Sequence, residues 1–189
     1  MPSALLLAST SRYRAELLQR LGYPFEAVDP ALDEPLLAGE RPAVRAQRLA
    51  LAKARSVASI RPDALVIGSD QVCALGNQVL RKPGNAQANR TQLAALSGQT
   101  AVFHTAVALV GMRQGICMQH RDATRCVFRT LSSGEIADYV AAEQAFDCAG
   151  GFKSEGRGIG LFERIESQDP TALIGLPLIW LAAALRRAP

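Results

Sequence analysis

Two short apolar runs constrain this chain most, because each is strand-sized and each leads straight into a polar cluster. Residues 4–8 (Ala-Leu-Leu-Leu-Ala) precede Ser9-Thr10-Ser11, and residues 64–68 (Ala-Leu-Val-Ile-Gly) precede Ser69-Asp70-Gln71. An apolar run of that length, bounded by polar residues, is expected as a buried strand. Between the two, residues 44–60 are rich in alanine and carry Leu49, Ala52 and Val57 at helical spacing, which predicts a helix. Strands and helices of this kind make an α/β protein, for which a mixed sheet is expected. Polar clusters where strands give way to loops mark the ligand crevice of such folds.

The remaining pattern extends this picture. Residues 12–21 read as a helix with Leu17, Leu18 and Leu21 on one face and Gly22 placed to end it. Residues 25–28 suit a strand. Gly76-Asn77 lies between two apolar runs, which is a hairpin signal. Residues 85–96 read as a helix, and 102–110 and 117–128 as long antiparallel strands. Ser132 and Glu135 form a capping box that opens a helix to about residue 142. A glycine-rich loop is expected over 149–160 and a strand over 161–165. Pro177 opens a last helix that reaches Arg186 and Arg187. With neither repeat nor linker, one domain spanning 1–189 is expected.

Composition narrows the classes. Aromatic residues make up 5% of the chain, so a core built largely from Leu, Ala, Val and Ile is expected. The net charge of +4 suits an anionic ligand, but no dense Lys/Arg run marks a nucleic-acid surface. No run approaches the ~18 apolar residues of a membrane span, and the first residues lack the basic flank of a secretion signal. Cys73, Cys117, Cys126 and Cys148 show no C-x-x-C pairing. They read as reduced, buried thiols of a cytoplasmic protein.

Five constellations could carry chemistry. Ser9, Ser11, Arg12 and Arg14 fall between a buried strand and a helix start, where backbone N–H groups attract anions and an arginine fork matches phosphate. Two arginines there oppose the helix dipole unless an anion compensates. A solvated turn is the alternative. Asp70 of Gly68-Ser69-Asp70-Gln71 suits a general base or metal ligand, or else a turn carboxylate. Asp33-Glu34 offers the oxygens Mg²⁺ prefers, or is an acidic loop. Lys53 and Lys82 are each explicable as surface lysines. In the loop 149–156, glycines allow close backbone approach, and Glu155 could accept two donors from a base edge. Neither a phosphate-binding P-loop nor a G-x-G-x-x-G turn is present, so phosphate binding must be assembled from dispersed basic residues.

Taken together these segments resemble the Maf family of nucleoside triphosphate pyrophosphatases. The resemblance covers essentially the whole chain. It rests on Leu7 to Arg14, Asp33-Glu34, Leu51-Ala52-Lys53-Ala54, Ile67-Gly68-Ser69-Asp70-Gln71, Lys82-Pro83, Ser97-Gly98, Ala149-Gly150, and Asp169-Pro170 with Gly175-Leu176-Pro177. The resemblance implies an α/β fold similar to that of inosine triphosphate pyrophosphatase. Its two lobes surround an elongated mixed sheet, with a cleft between them and usually a homodimer. It implies cleavage of a nucleoside triphosphate to monophosphate and pyrophosphate with a divalent ion (Mg²⁺, or Mn²⁺ or Co²⁺). Position by position, Asp70 matches the proton acceptor. Ser9, Arg14, Lys53 and Lys82 match substrate-binding positions, and Glu34 matches a carboxylate on the metal side, with Asp70 beside it. Neither a membrane nor a nucleic-acid partner is implied.

Three departures from the common family pattern narrow the substrate. This chain has Arg12-Tyr13-Arg14 in place of Pro-Arg-Arg, Asp70-Gln71 in place of Asp-Thr, and Ser154-Glu155-Gly156 in place of Ile-Gln-Gly. An aromatic residue, Gln and Glu at those positions resemble the 7-methyl-GTP subfamily, while Arg12 departs even from that group. The 7-methylguanine base is cationic, so stacking on Tyr13 would gain ~0.5–2 kcal/mol of cation–π energy. Glu155 could accept both N1–H and N2–H of guanine. Left unpaired against a pyrimidine it would cost ~1–3 kcal/mol. Two other readings stay open: a Maf pyrophosphatase for dTTP or UTP, and a non-enzymatic nucleotide-binding regulator of cell division.

Overall fold

The computed structural model describes residues 4–188, and it builds one seven-stranded mixed sheet. The strands are β1 (Leu5–Ala8), β2 (Glu26–Val28), β3 (Leu65–Leu75), β4 (Gln78–Leu80), β5 (Thr100–Gly111), β6 (Ile116–Phe128) and β7 (Phe162–Glu166). Their order is β2-β1-β3-β5-β6-β7, with β4 also on β3. β1 runs parallel to β2 and β3, and every other pairing is antiparallel. The helices are α1 (Arg12–Gln19), α2 (Pro42–Ile60), α3 (Ala86–Leu96), α4 (Ser133–Glu143) and α5 (Leu178–Arg187).

Ser132 with Glu135 closes the expected capping box on α4, and the structure adds caps at Ser11 on α1 and Asn85 on α3. Gly76 takes φ +59° in the two-residue turn between β3 and β4, a conformation that favours glycine. Helix α1 is shorter than expected. It stops at Gln19, and a turn through Gly22 at φ +74° completes the exit. The glycine-rich loop 149–160 contains two short 3₁₀ turns, Ala149–Gly151 and Arg157–Leu161.

One expectation is overturned. Asp70 does not stand at the carboxyl end of a strand. β3 runs on through it to Leu75, because β5 pairs continuously from Val66↔Val110 to Leu75↔Ala101. What stops at Gly68 is the pairing on the other edge. β1 covers that edge from Leu65 to Gly68, and β4 covers it from Cys73 to Leu75. Residues 69–72 therefore lie on an edge with no neighbouring strand, in the middle of a rigid strand.

Separate apolar cores flank that gap. At one end Leu7, Ile67 and Leu109 pack with Leu17 and Leu18 of α1 and Leu181 of α5. On the opposite face of the same end, Leu6, Val66 and Ala108 pack with Ala54, Val57 and Ala58 of α2. At the other end, Cys73, Phe103 and Phe128 pack with Leu93 of α3, Tyr139 of α4, and Phe152 and Phe162. The aliphatic core expected from composition thus describes only one lobe. In the other, Phe103, Phe128, Phe152 and Phe162 make edge-to-face contacts with centroids 4.8 to 5.4 Å apart.

The thiols also divide. Cys73 and Cys126 are buried, and burial pushes the Cys126 thiol up to about 12. Cys148 is half-buried and pushed up to about 11, chiefly by burial. Cys117 is exposed, against expectation, because β6 turns its odd positions to solvent along this stretch.

Helix α2 lies close to the sheet because Gly68 has no side chain. A Cβ there would sit 2.2 Å from the Ala50 carbonyl oxygen and 2.5 Å from the Ala54 nitrogen. Backbone at those distances cannot yield locally. Gly68→Ala is expected to cost ~3 kcal/mol or more by lifting α2, read as a lower midpoint in denaturant with unchanged slope. An unchanged midpoint would show that α2 does not depend on this contact.

Candidate active site

The gap on β3 opens into a cleft of about 1130 Å³ between the lobes. Ser9, Arg14, Lys53, Asp70 and Lys82 all line it, as do Glu34, Tyr13, Gln71 and Glu155. The fold therefore brings these nine residues to one place, while Asp33 does not line the cleft. Neither histidine lines it.

Asp70 is 6% exposed and Lys53 7%. The Lys53 ammonium donates to Asp70 Oδ1 at 2.7 Å and lies 2.6 Å from Glu34 Oε1. Lys53 reaches this point because it occupies the sheet-facing side of α2, between Leu49 and Val57. Lys53 is therefore not a surface lysine, and a buried ammonium must be paired. Burial raises the Asp70 pKa above the ordinary carboxylate range, and the charges of Lys53 and Arg14 pull against that rise. A raised pKa makes Asp70 a stronger proton acceptor than an exposed aspartate.

Arg14 and Ser9 form the neighbouring wall. Arg14 donates through Nε to the Gly175 carbonyl at 3.1 Å and through Nη1 to Ser9 Oγ at 3.3 Å. Ser9 Oγ also accepts from the Ser11 N–H at 3.2 Å. With two donors already on its oxygen, the hydroxyl has its proton left to offer, which suits a phosphate oxygen. Burial lowers the Arg14 pKa, with Asp70 and Glu34 opposing. Ser69 Oγ lies 2.9 Å from the same Gly175 carbonyl, which ties the β3 edge to the segment before α5. That segment is itself fixed by buried Asp169, whose carboxylate accepts from the Thr171 and Ile179 N–H groups at 2.9 and 2.7 Å.

The rim carries Tyr13, Gln71 and Glu155. The Arg12 guanidinium sits 4.8 Å from the Tyr13 ring centroid and donates to its hydroxyl at 2.9 Å. Gln71 Nε2 lies within 3.0 Å of Thr105 Oγ1 and the Ala172 and Leu173 carbonyls, so its amide nitrogen is committed to the protein. Glu155 is exposed and accepts from Ser154 Oγ at 3.2 Å. Lys82 is exposed and makes no ion pair among the described residues.

Sequence reasoning missed a clamp. Glu34 sits in an irregular segment, 29–41, with no ladder to hold it. Arg45 donates to the Glu34 and Pro35 carbonyls at 3.0 and 2.8 Å, and Arg48 donates to Pro35 at 3.1 Å. Arg48 in turn grips Glu40 with two bonds of 2.6 and 2.7 Å. The signal was present: Arg41, Arg45 and Arg48 recur at helical spacing beside an acidic loop.

No group of three or more His, Cys, Asp or Glu side chains converges among the described residues. Glu34 and Asp70 do converge, since both lie within 2.7 Å of one Lys53 atom. Two carboxylates around a point that already holds a cation fit Mg²⁺, which takes one or two carboxylates and completes its shell with phosphate and water.

Comparison with known proteins decides the family. The model of Maf-like proteins matches residues 4–188. The chain belongs to the Maf family. It is 55% identical over 175 residues to a 7-methyl-GTP pyrophosphatase of Polaromonas sp. (strain JS666), covering 93% of this chain and 80% of that one. It is 53% identical to a protein of the same name from Xanthomonas axonopodis pv. citri, covering 97% and 96%. The structure of the Staphylococcus aureus Ham1 protein superposes with a TM-score of 0.57 at 12% identity, covering 97% of this chain and 98% of that one. That likeness confirms the fold, a two-lobed α/β architecture around an elongated mixed sheet. No described helix of this Maf protein is long and apolar enough to cross a membrane.

The clamp yields a prediction. Arg48→Met removes three bonds that hold the Glu34 segment. Amide hydrogen exchange over 29–41 is expected to quicken about tenfold while β3 and β5 keep their protection. Unchanged exchange there would show that the segment is held by something else.

Proposed function

We propose that this Maf protein is a 7-methyl-GTP pyrophosphatase, releasing pyrophosphate and 7-methyl-GMP. The observation that carries the reading is the pairing of Lys53 with both Asp70 and Glu34 at the uncovered edge of β3, with Tyr13, Gln71 and Glu155 on the same rim. The names of its 53–55% identical relatives support the same substrate.

In this mechanism Asp70 accepts a proton from a water as its oxygen attacks the α-phosphorus. The bond from that phosphorus to the oxygen bridging to the β-phosphate breaks, and pyrophosphate leaves with the bonding pair. Arg14, Lys53 and Lys82 balance the charge on the leaving group, and Ser9 donates to a phosphate oxygen. Glu34 and Asp70 would hold a divalent ion (Mg²⁺, or Mn²⁺ or Co²⁺), which neutralises phosphate charge and orients the triphosphate. The cationic base stacks on Tyr13, and Glu155 accepts from N1–H and N2–H. Gln71, its nitrogen already spent on the protein, offers its carbonyl oxygen. A homodimer in the cytoplasm, without a membrane or nucleic-acid partner, completes the reading. Its purpose there would be clearing modified nucleotides.

Two measurements test it. Asp70→Asn is expected to lower kcat by ~10²–10⁴-fold with the fold intact, and near-wild-type turnover would sink the assignment. Pyrophosphate release across 7-methyl-GTP, GTP, UTP and dTTP is expected to be highest for 7-methyl-GTP. Tyr13→Ala should lower that preference by ~2–30-fold. A preference for UTP or dTTP would refute the roles given to Tyr13, Gln71 and Glu155.

A further inference from the structure

We propose that Lys53 is an internal competitor for the divalent cation, so that metal enters this site together with nucleotide and not before it. The inference rests on Glu34 and Asp70 being the carboxylates that would hold the ion.

Lys53 Nζ lies 2.6 Å from Glu34 Oε1 and 2.7 Å from Asp70 Oδ1. Its side chain is 9% exposed, and so is that of Asp70. The ammonium therefore already fills the point on which both carboxylates converge. Arg14, whose pKa responds to both carboxylates, adds a second positive charge to the same neighbourhood. The Lys53 and Arg14 charges already balance those of Glu34 and Asp70 before any nucleotide binds. A dication arriving alone would have to displace the ammonium from both ion pairs. It would then leave the Lys53 ammonium without its carboxylate partners and beside a dication.

A triphosphate removes that obstacle. It brings several negative charges and the remaining oxygen ligands at once. The Lys53 backbone is fixed in α2, but its ammonium rides on a flexible four-carbon stem with three donors. It can turn from the carboxylates to phosphate oxygens without any movement of the helix. Glu34, at 42% side-chain exposure on an irregular segment, is the more accessible of the two carboxylates. The site is then closed to free divalent ions in its resting state, and the ionic lock doubles as the phosphate grip.

The experiment is a Mn²⁺ titration of the full chain by electron paramagnetic resonance. It is run with and without the α,β-methylene analogue of 7-methyl-GTP, which resists cleavage. In the wild type the analogue is expected to tighten Mn²⁺ binding at least thirtyfold. Lys53→Met is expected to bind Mn²⁺ without nucleotide at least tenfold more tightly than the wild type, and Glu34→Gln in that background to abolish the gain. Lys53→Gln, which keeps a polar side chain but loses the charge and the reach, should show the same gain. Mn²⁺ alone should also raise the melting temperature of Lys53→Met more than that of the wild type.

Equal Mn²⁺ affinity in wild type and both Lys53 variants would overturn the proposal. So would wild-type Mn²⁺ binding that is indifferent to the analogue. Pyrophosphate release from 7-methyl-GTP separates the two layers. Release with unchanged Lys53-variant titrations overturns the competition alone. No release, together with no Mn²⁺ binding even with the analogue, overturns the site reading beneath it.

Discussion

Four residues of one strand, 69–72, have a neighbour on only one side, and the site depends on that missing neighbour. β1 ends its pairing at Gly68 and β4 begins at Cys73, while β5 runs unbroken along the other edge. β5 along the whole of one edge, with β1 and β4 before and after the gap on the other, fixes the strand in place, and Asp70 and Gln71 line the cleft beside it. Asp70 gains two properties from this position that rarely coexist. It is nearly buried, which raises its pKa, and it faces the cleft, which gives it access to a substrate.

The surrounding elements place charge against that carboxylate. Helix α2 brings Lys53 because Gly68 and its own alanines let it lie low on the sheet. The same helix holds the Glu34 segment by two arginines one and two turns earlier. Helix α1 contributes Arg14, which the Gly175 carbonyl and Ser9 hold in place. No residue in this set is remarkable in composition. The arrangement depends on one helix being close enough, one irregular segment being pinned, and one edge being left open.

Much of the fold was legible in the sequence, for local reasons. The capping box at Ser132 and Glu135 and the Gly76-Asn77 hairpin act through neighbours a few residues apart, so pattern alone finds them. The extent of β3 was not legible. Ser69-Asp70-Gln71 is a polar triplet with the composition of a loop, and only the pairing of Asp70 with Ala106, far along the chain, makes it strand. The candidate site residues were singled out through family resemblance and not through physics alone. Lys53 illustrates this: its periodicity in α2 places it on the buried face, but nothing local reveals that Asp70 and Glu34 wait there. The spacing of Arg45 and Arg48 hinted at a clamp, but most of what they hold, the Glu34 and Pro35 carbonyls, is backbone that sequence does not single out.

In the proposed mechanism the carboxylate of Asp70, on the uncovered edge of β3, directs an activated water to the α-phosphorus. Hydrolysis of 7-methyl-GTP in ¹⁸O-labelled water, with mass analysis of both products, decides where that water attacks. One labelled oxygen in 7-methyl-GMP and none in pyrophosphate is expected. Label in pyrophosphate, or release of orthophosphate in its place, would contradict it.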